Sequence, residues 1–123
     1  METKIIENKM CTEFRRVFLK YIALRIIKSK PTHGYDIIKT IELHSNGNWI
    51  PSAGSIYPIL ESLESNDLIQ CEEIDRKKVY SITSKGVAAL DFMTQKRLEL
   101  INEMSQIINS VIEGNKKTDE IGR

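Results

Sequence analysis

The chain has 123 residues, 41% of them hydrophobic and 28% charged, with a formal net charge of +1. That length suits one compact domain plus an accessory element, and so small a net charge means that any nucleic-acid contact must come from where the cations sit, not from a global field. Cys11, Cys71, His33 and His44 lack metal-ligand spacing, no run approaches the roughly 20 apolar residues of a membrane span, and METKIIENKM is too polar for a targeting core; the expectation is a cytoplasmic protein with free thiols and no metal or cofactor.

Residues 1–11 are expected to form a flexible arm or short helix, with Ile5, Ile6 and Met10 placed to pack on a partner subunit. Thr12 can cap the first main helix, TEFRRVFLKYIALRIIKSK. Phe14, Val17, Phe18, Tyr21 and Ile22 form one apolar stripe, widened by Leu24, Ile26 and Ile27. Arg15, Arg16, Lys20, Arg25, Lys28 and Lys30 take up much of the remainder; such a cationic edge can touch phosphates, but charges along a helix are more often its solvated side. Lys30-Pro31 ends this helix, because the residue before proline avoids helical angles. A turn through Thr32 and His33 leads to GYDIIKTIELH, with Ile37, Ile38 and Ile41 inward, and the cluster Ser45-Asn46-Gly47-Asn48 stops it.

The stretch from Trp49 to Ile69 is the centre of the chain. Ser52 and Ser55 can each cap a helix. Ile56, Ile59, Leu60 and Leu63 line one face, while Ser55, Glu61, Ser62 and Ser65 occupy the other, with Tyr57 at the side. Pro58 falls in the first turn if Ser55 is the cap; if Ser52 is the cap, the helix is irregular near Gly54. A short helix with a small, hydroxyl-rich outer face fits a DNA major groove, although a helix that merely covers a core has the same pattern. Two helices joined by a turn, with the first supporting them, make a helix-turn-helix.

The period then changes. Leu68–Ile74 and Lys78–Thr83 read as two short strands around Asp75-Arg76-Lys77, a hairpin whose tip carries Arg76, Lys77 and Lys78. Helix-turn-helix plus hairpin is a winged helix, and three cations at the tip favour phosphate contact. Thr83 can cap a last helix, residues 84–113, about 45 Å long. Leu90, Met93, Arg97, Leu100, Met104, Ile107 and Val111 trace the alternating three- and four-residue step of a coiled-coil seam, flanked by Ile101, Ile108 and Ile112. The expected architecture is therefore mostly α with a small β-hairpin: a winged-helix domain over residues 1–83, a dimerisation helix over 84–113, and a disordered tail from Gly114 to Arg123.

Three segments, HGYDIIKTIE (His33 to Glu42), GNWIPSAGSIYPILESLESNDLI (Gly47 to Ile69) and RKKVYSITSKG (Arg76 to Gly86), resemble the PadR family of transcriptional regulators. The single C-terminal helix resembles its short branch, whose members act as homodimeric repressors. The resemblance implies that Ser52, Ser55 and Tyr57 sit at the DNA surface. It also implies phosphate contacts from Tyr35, Lys39 and the wing cations. Two departures stand out: relatives often carry a basic residue within the third helix, whereas here no Lys or Arg lies between Trp49 and Asp75, and Asp67 replaces the usual glycine before Leu68-Ile69.

The expected partners are double-stranded DNA and a second copy of the chain, joined through Leu90, Met93, Leu100, Ile101, Met104, Ile107, Ile108 and Val111. Paired recognition helices would meet an inverted-repeat operator. A small apolar effector has a candidate pocket at Trp49, Phe92 and Met93, since methionine repacks readily; a filled dimer core and a packing tryptophan account for the same residues. The alternative function is a winged-helix protein-interaction module, favoured by the acidic third helix. No nucleophile–base grouping or phosphate-cradling glycine loop supports an enzyme.

Overall fold

The computed structural model describes the backbone of residues 2–121 and the side chains of residues 14–116. Its elements are α1 (Glu2–Ser29), α2 (Gly34–His44), α3 (Ala53–Ser65), β1 (Ile69–Ile74), β2 (Lys77–Ile82) and α4 (Ser84–Ile121). They divide into two units, Met1–Leu90 and Asp91–Arg123.

The first unit is a winged helix-turn-helix. Its core is drawn from every element: Leu19, Ala23, Leu24 and Ile27 of α1, Ile37 and Ile41 of α2, Ile56, Leu60 and Leu63 of α3, Ile69 of β1, Tyr80 of β2 and Leu90 of α4. On α2 and α3 these are the predicted inward positions. On α1 they are not. Phe14 and Val17, predicted to lead the buried stripe, are 69% and 70% exposed. The helix carries two apolar stripes, and the one through Leu19, Ala23 and Leu24 faces the domain. The other is an aromatic ladder, with Phe14 on Phe18 at 5.8 Å between ring centroids and Phe18 on Tyr21 at 5.5 Å.

Two helix ends share one device. At the end of α2, Asn46 N–H donates to Leu43 O (3.2 Å) and Gly47 N–H to Glu42 O (2.8 Å). At the end of α3, Asp67 N–H donates to Glu64 O and Leu68 N–H to Leu63 O, both at 3.0 Å. Each is a Schellman closure, which needs a left-handed residue to reverse the chain. Asn46 (φ 53°) and Asp67 (φ 59°) supply it. Asp67 therefore adopts the conformation of the glycine it replaces, and its carbonyl accepts from Thr83 Oγ1 at 2.6 Å.

Several boundaries differ from expectation. α1 runs without a break through Thr12, so residues 2–11 form its first turns and not a separate arm; there is neither proline nor glycine before Pro31 to interrupt it. The side chains of Ile5, Ile6, Met10 and Cys11 lie outside the described residues. At the other end α4 continues through Gly114 to Ile121, replacing the predicted tail. One glycine among good helix formers costs only about 1 kcal/mol, too little to end a long helix. β2 begins at Lys77, so the hairpin turn is the two residues Asp75 and Arg76, closed by the pair Ile74–Lys77.

The hairpin is also tied to the helices. Thr32, in the turn before α2, exchanges two backbone hydrogen bonds with Tyr80, Thr32 N–H to Tyr80 O at 3.0 Å and Tyr80 N–H to Thr32 O at 2.8 Å. Thr83 caps α4 as predicted: its Oγ1 accepts from Gly86 N–H at 3.0 Å. Gly86 is buried against the start of the hairpin, where a β-carbon would lie 2.0 Å from Leu68 O.

The second unit is the rest of α4. Leu100, Met104, Ile107 and Val111 of the predicted seam, and Ile101 and Ile108 that flank it, are all exposed. Leu90 is the correction: it is 0% exposed within the first unit, so it is a core residue with no surface to offer a partner. Among the described residues no helix is long and apolar enough to cross a membrane, and no cluster of His, Cys, Asp or Glu could hold a metal ion.

Candidate nucleic-acid interface

α3 starts at Ala53, so Ser52 is its cap. Ser52 Oγ accepts from Ser55 N–H at 3.2 Å and lies 3.1 Å from Ser55 Oγ. Pro58 therefore sits inside the helix, past the first turn. Its missing N–H removes the bond that the carbonyl of Gly54 would otherwise accept, and Gly54, having no side chain, tolerates the irregular turn. With Ile56, Leu60 and Leu63 buried, α3 turns Gly54, Pro58, Glu61 and Ser65 outward.

One groove flanks this outward face on the side of α2 and the wing. It measures about 510 Å³ and is lined by His33, Gly34, Tyr35, Asp36, Tyr57, Tyr80 and the cations Arg76, Lys77 and Lys78. Five predicted DNA-binding residues meet here: Tyr35, Tyr57 and the three cations. His33 is a sixth participant that sequence reasoning did not single out; its Nδ1 lies 3.1 Å from the carbonyl oxygen of Lys78, which ties the wing to the start of α2. Gly34 brings the first two of the PadR-resembling segments into contact. A β-carbon at Gly34 would come to 3.0 Å from the Tyr57 ring, so the missing side chain there lets that ring lie close against the start of α2.

Tyr80 lies beneath this groove. Burial, together with the neighbouring Cys71 and Glu64, pushes its phenol up to about 12. Burial also pushes the Cys71 thiol up, with Glu64 adding to it. A raised thiol holds less thiolate at neutral pH, the form that reacts.

A second groove, about 600 Å³, flanks α3 on the side of α1. It is lined by Arg15, Arg16, Leu19, Trp49, Ser52, Ser55 and Pro58, among others. The two predicted DNA-binding serines are thus on the opposite flank from the wing. Trp49 packs at one end of this groove: its ring stands 6.5 Å from that of Phe18, its backbone N–H donates to Ser45 Oγ at 2.9 Å, and the Arg15 guanidinium lies 5.8 Å from its ring centroid. Phe92 and Met93, the other members of the candidate effector pocket, belong to the second unit.

Lys39 joins neither groove. It lines a third, between α1 and α2, with Arg25, Lys30 and His44 among its neighbours. It stays close to Tyr35, at 5.4 Å from the ring centroid, and forms an ion pair with Glu42 at 3.5 Å. The Tyr35 hydroxyl first, and then the Glu42 carboxylate, raise its ammonium above the ordinary lysine value.

Residues 23–91, which hold the end of α1, all of α2 and α3, and the wing, match the family model described as the transcriptional regulator PadR-like family. The chain belongs to that family. The chain is 37% identical over 86 residues to the transcriptional regulator YqjI of Escherichia coli (strain K12), covering 69% of this chain and 41% of that protein. The chain thus spans about two fifths of the length of the first curated relatives it matches. A PadR family transcriptional regulator from Eggerthella lenta DSM 2243 superposes with a TM-score of 0.76 at 25% identity, over 88% of this chain and 93% of that one. Bacillus subtilis PadR, solved in complex with operator DNA, superposes with a TM-score of 0.57 at 26% identity, over 62% of this chain and 46% of that one. The family is one of transcriptional regulators, not enzymes.

Proposed function

We propose that this PadR-like chain is a DNA-binding repressor that works as a homodimer on an inverted-repeat operator. The observation that carries the reading is the wing-side groove, where Tyr35, Tyr57, Arg76, Lys77 and Lys78 converge beside the outward face of α3. The hydroxyls of Ser52, Ser55 and Tyr57 select bases, and the wing cations grip phosphates and supply salt-dependent affinity. The likeness to a PadR solved on operator DNA supports the same role here.

A second copy is the partner that suits α4. Leu100, Ile101, Met104, Ile107, Ile108 and Val111 leave a coiled-coil seam uncovered, and full burial of such side chains contributes about 1.5–3 kcal/mol each. Pairing holds two recognition helices about 34 Å apart, one turn of DNA. Bound at a promoter, the dimer obstructs polymerase. An apolar effector accommodated near Phe92, Met93 and Met104, or beside Trp49, releases it by binding another spacing of the two helices better.

Glu61 and Glu64, both exposed on α3, favour one other reading, a winged helix that docks a protein in place of DNA. Selection of binding sites from a random DNA pool by the purified protein separates the two. An enriched inverted repeat with half-sites about 10 base pairs apart is expected; no enriched sequence would leave the protein-interaction module standing.

A further inference from the structure

We propose that Arg15 and Arg16 of α1 form a second phosphate-gripping flank, on the side of α3 opposite the wing. The inference rests on the DNA-binding reading and adds to it residues that neither the family motifs nor the wing supply.

α3 has no cation of its own: no Lys or Arg lies between Trp49 and Asp75, while Glu61 and Glu64 are exposed on the helix. A helix lying in a major groove about 12 Å wide has a row of phosphates on each side. Without positive charge on both flanks, the carboxylates of α3 meet at least one row unscreened. The wing supplies Arg76, Lys77 and Lys78 on one side. On the other side, the groove that contains the cap serine Ser52 and the outward-facing Pro58 contains Arg15 and Arg16, with no carboxylate among its lining residues.

Arg15 is held in place before any ligand arrives. One guanidinium N–H donates to Asn48 O at 2.9 Å and the group lies over Trp49. A guanidinium has five N–H donors, so four remain, and a planar fork already oriented loses little freedom on meeting a phosphate. The other cations of α1 are placed differently. Lys20 is committed to Ser62 Oγ at 3.2 Å, and Arg25 lines the separate groove beside α2 together with Lys30, just past the helix end. Of the cationic edge read from the sequence, Arg15 and Arg16 are thus the pair that lines the groove beside Ser52 and Pro58.

The test is the salt dependence of binding to a mixed-sequence duplex about three helical turns long. It is followed between about 50 and 200 mM salt for the unmodified protein, Arg16→Gln, the double variant Arg15→Gln with Arg16→Gln, and Arg25→Gln. Each lost phosphate contact lowers the slope of log affinity against log salt by about 0.9. A loss of about one is expected for Arg16→Gln and about two for the double variant. Arg25→Gln should leave the slope unchanged, and any operator should weaken by the same factor as the mixed sequence. Arg16 is exposed, so Arg16→Gln decides the matter even if the double variant fails to fold. An Arg16→Gln slope equal to that of Arg25→Gln, or a loss confined to one sequence, overturns the flank and leaves the DNA-binding reading intact. Absence of duplex binding by the unmodified protein overturns both.

Discussion

Arg76 holds φ 65° beside Asp75 at φ 51°, so both residues of the wing turn are left-handed. A two-residue hairpin of this kind favours Asn-Gly or Asp-Gly, and a side chain at the second position costs about 1 kcal/mol. Arg76→Gly should therefore stabilise the fold by about 0.5–1 kcal/mol in chemical denaturation while weakening DNA binding; a turn kept strained for its charge moves the two measurements in opposite directions. Tyr80 gives a second test. Its phenol is raised from an ordinary value near 10.0 to about 12, so between those values the folded protein holds a proton that the unfolded chain has lost. The stability this represents is full below pH 10, falls through that window and is gone above 12. Equilibrium unfolding measured across it should show a decline that is less steep in Tyr80→Phe. The left-handed Asp67 was legible in sequence because aspartate tolerates that conformation. Arg76 was not, because arginine carries no turn signal and the turn was read as three residues.

At the scale of elements, α4 contains two glycines with opposite meanings. Gly86 is pressed against the backbone of Leu68 and the side chain of Ile82, while Gly114 has nothing within 4 Å of where a β-carbon would lie. Gly86→Ala should cost about 2–3 kcal/mol, since the obstructing oxygen belongs to backbone that cannot rotate away. Gly114→Ala should add up to about 1 kcal/mol. Thermal melts of the two variants should move in opposite directions. The end of α2 could be read from its turn residues and the inward faces of α2 and α3 from the three- and four-residue spacing, whereas the start of α3 stayed open between Ser52 and Ser55 because both serines can cap. α1 resisted because Phe14, Val17 and Phe18 are as apolar as Leu19, Ala23 and Leu24; periodicity locates two stripes and does not say which one the domain covers. Thr32 was missed for a different reason. A single bridging residue has no period, and its two bonds to Tyr80 depend on a strand nearly fifty positions further on.

The whole molecule is proposed to act as a pair. Replacing Met104 and Ile107 with aspartate puts charges on the exposed seam, so sedimentation should show monomers where the unmodified protein sediments as a dimer. Operator affinity should fall by at least tenfold, because two linked heads bind far more tightly than one. Unchanged sedimentation would remove the seam from the account. Winged-helix architecture and the wing cations were readable from the chain alone, since each rests on local pattern. The pairing of Arg15 with Trp49, the seating of Tyr57 on Gly34 and the withdrawal of Leu90 into the core all depend on contacts between distant segments, which no local period encodes. The bridge between Thr32 and Tyr80 has one more effect. A two-stranded ribbon normally presents bare edges on which a foreign strand can build. Here β2 has its outer margin occupied at Tyr80, and β1 bears the exposed carboxylates of Glu72 and Glu73. The hairpin is thereby guarded against the edge-to-edge stacking that seeds aggregates.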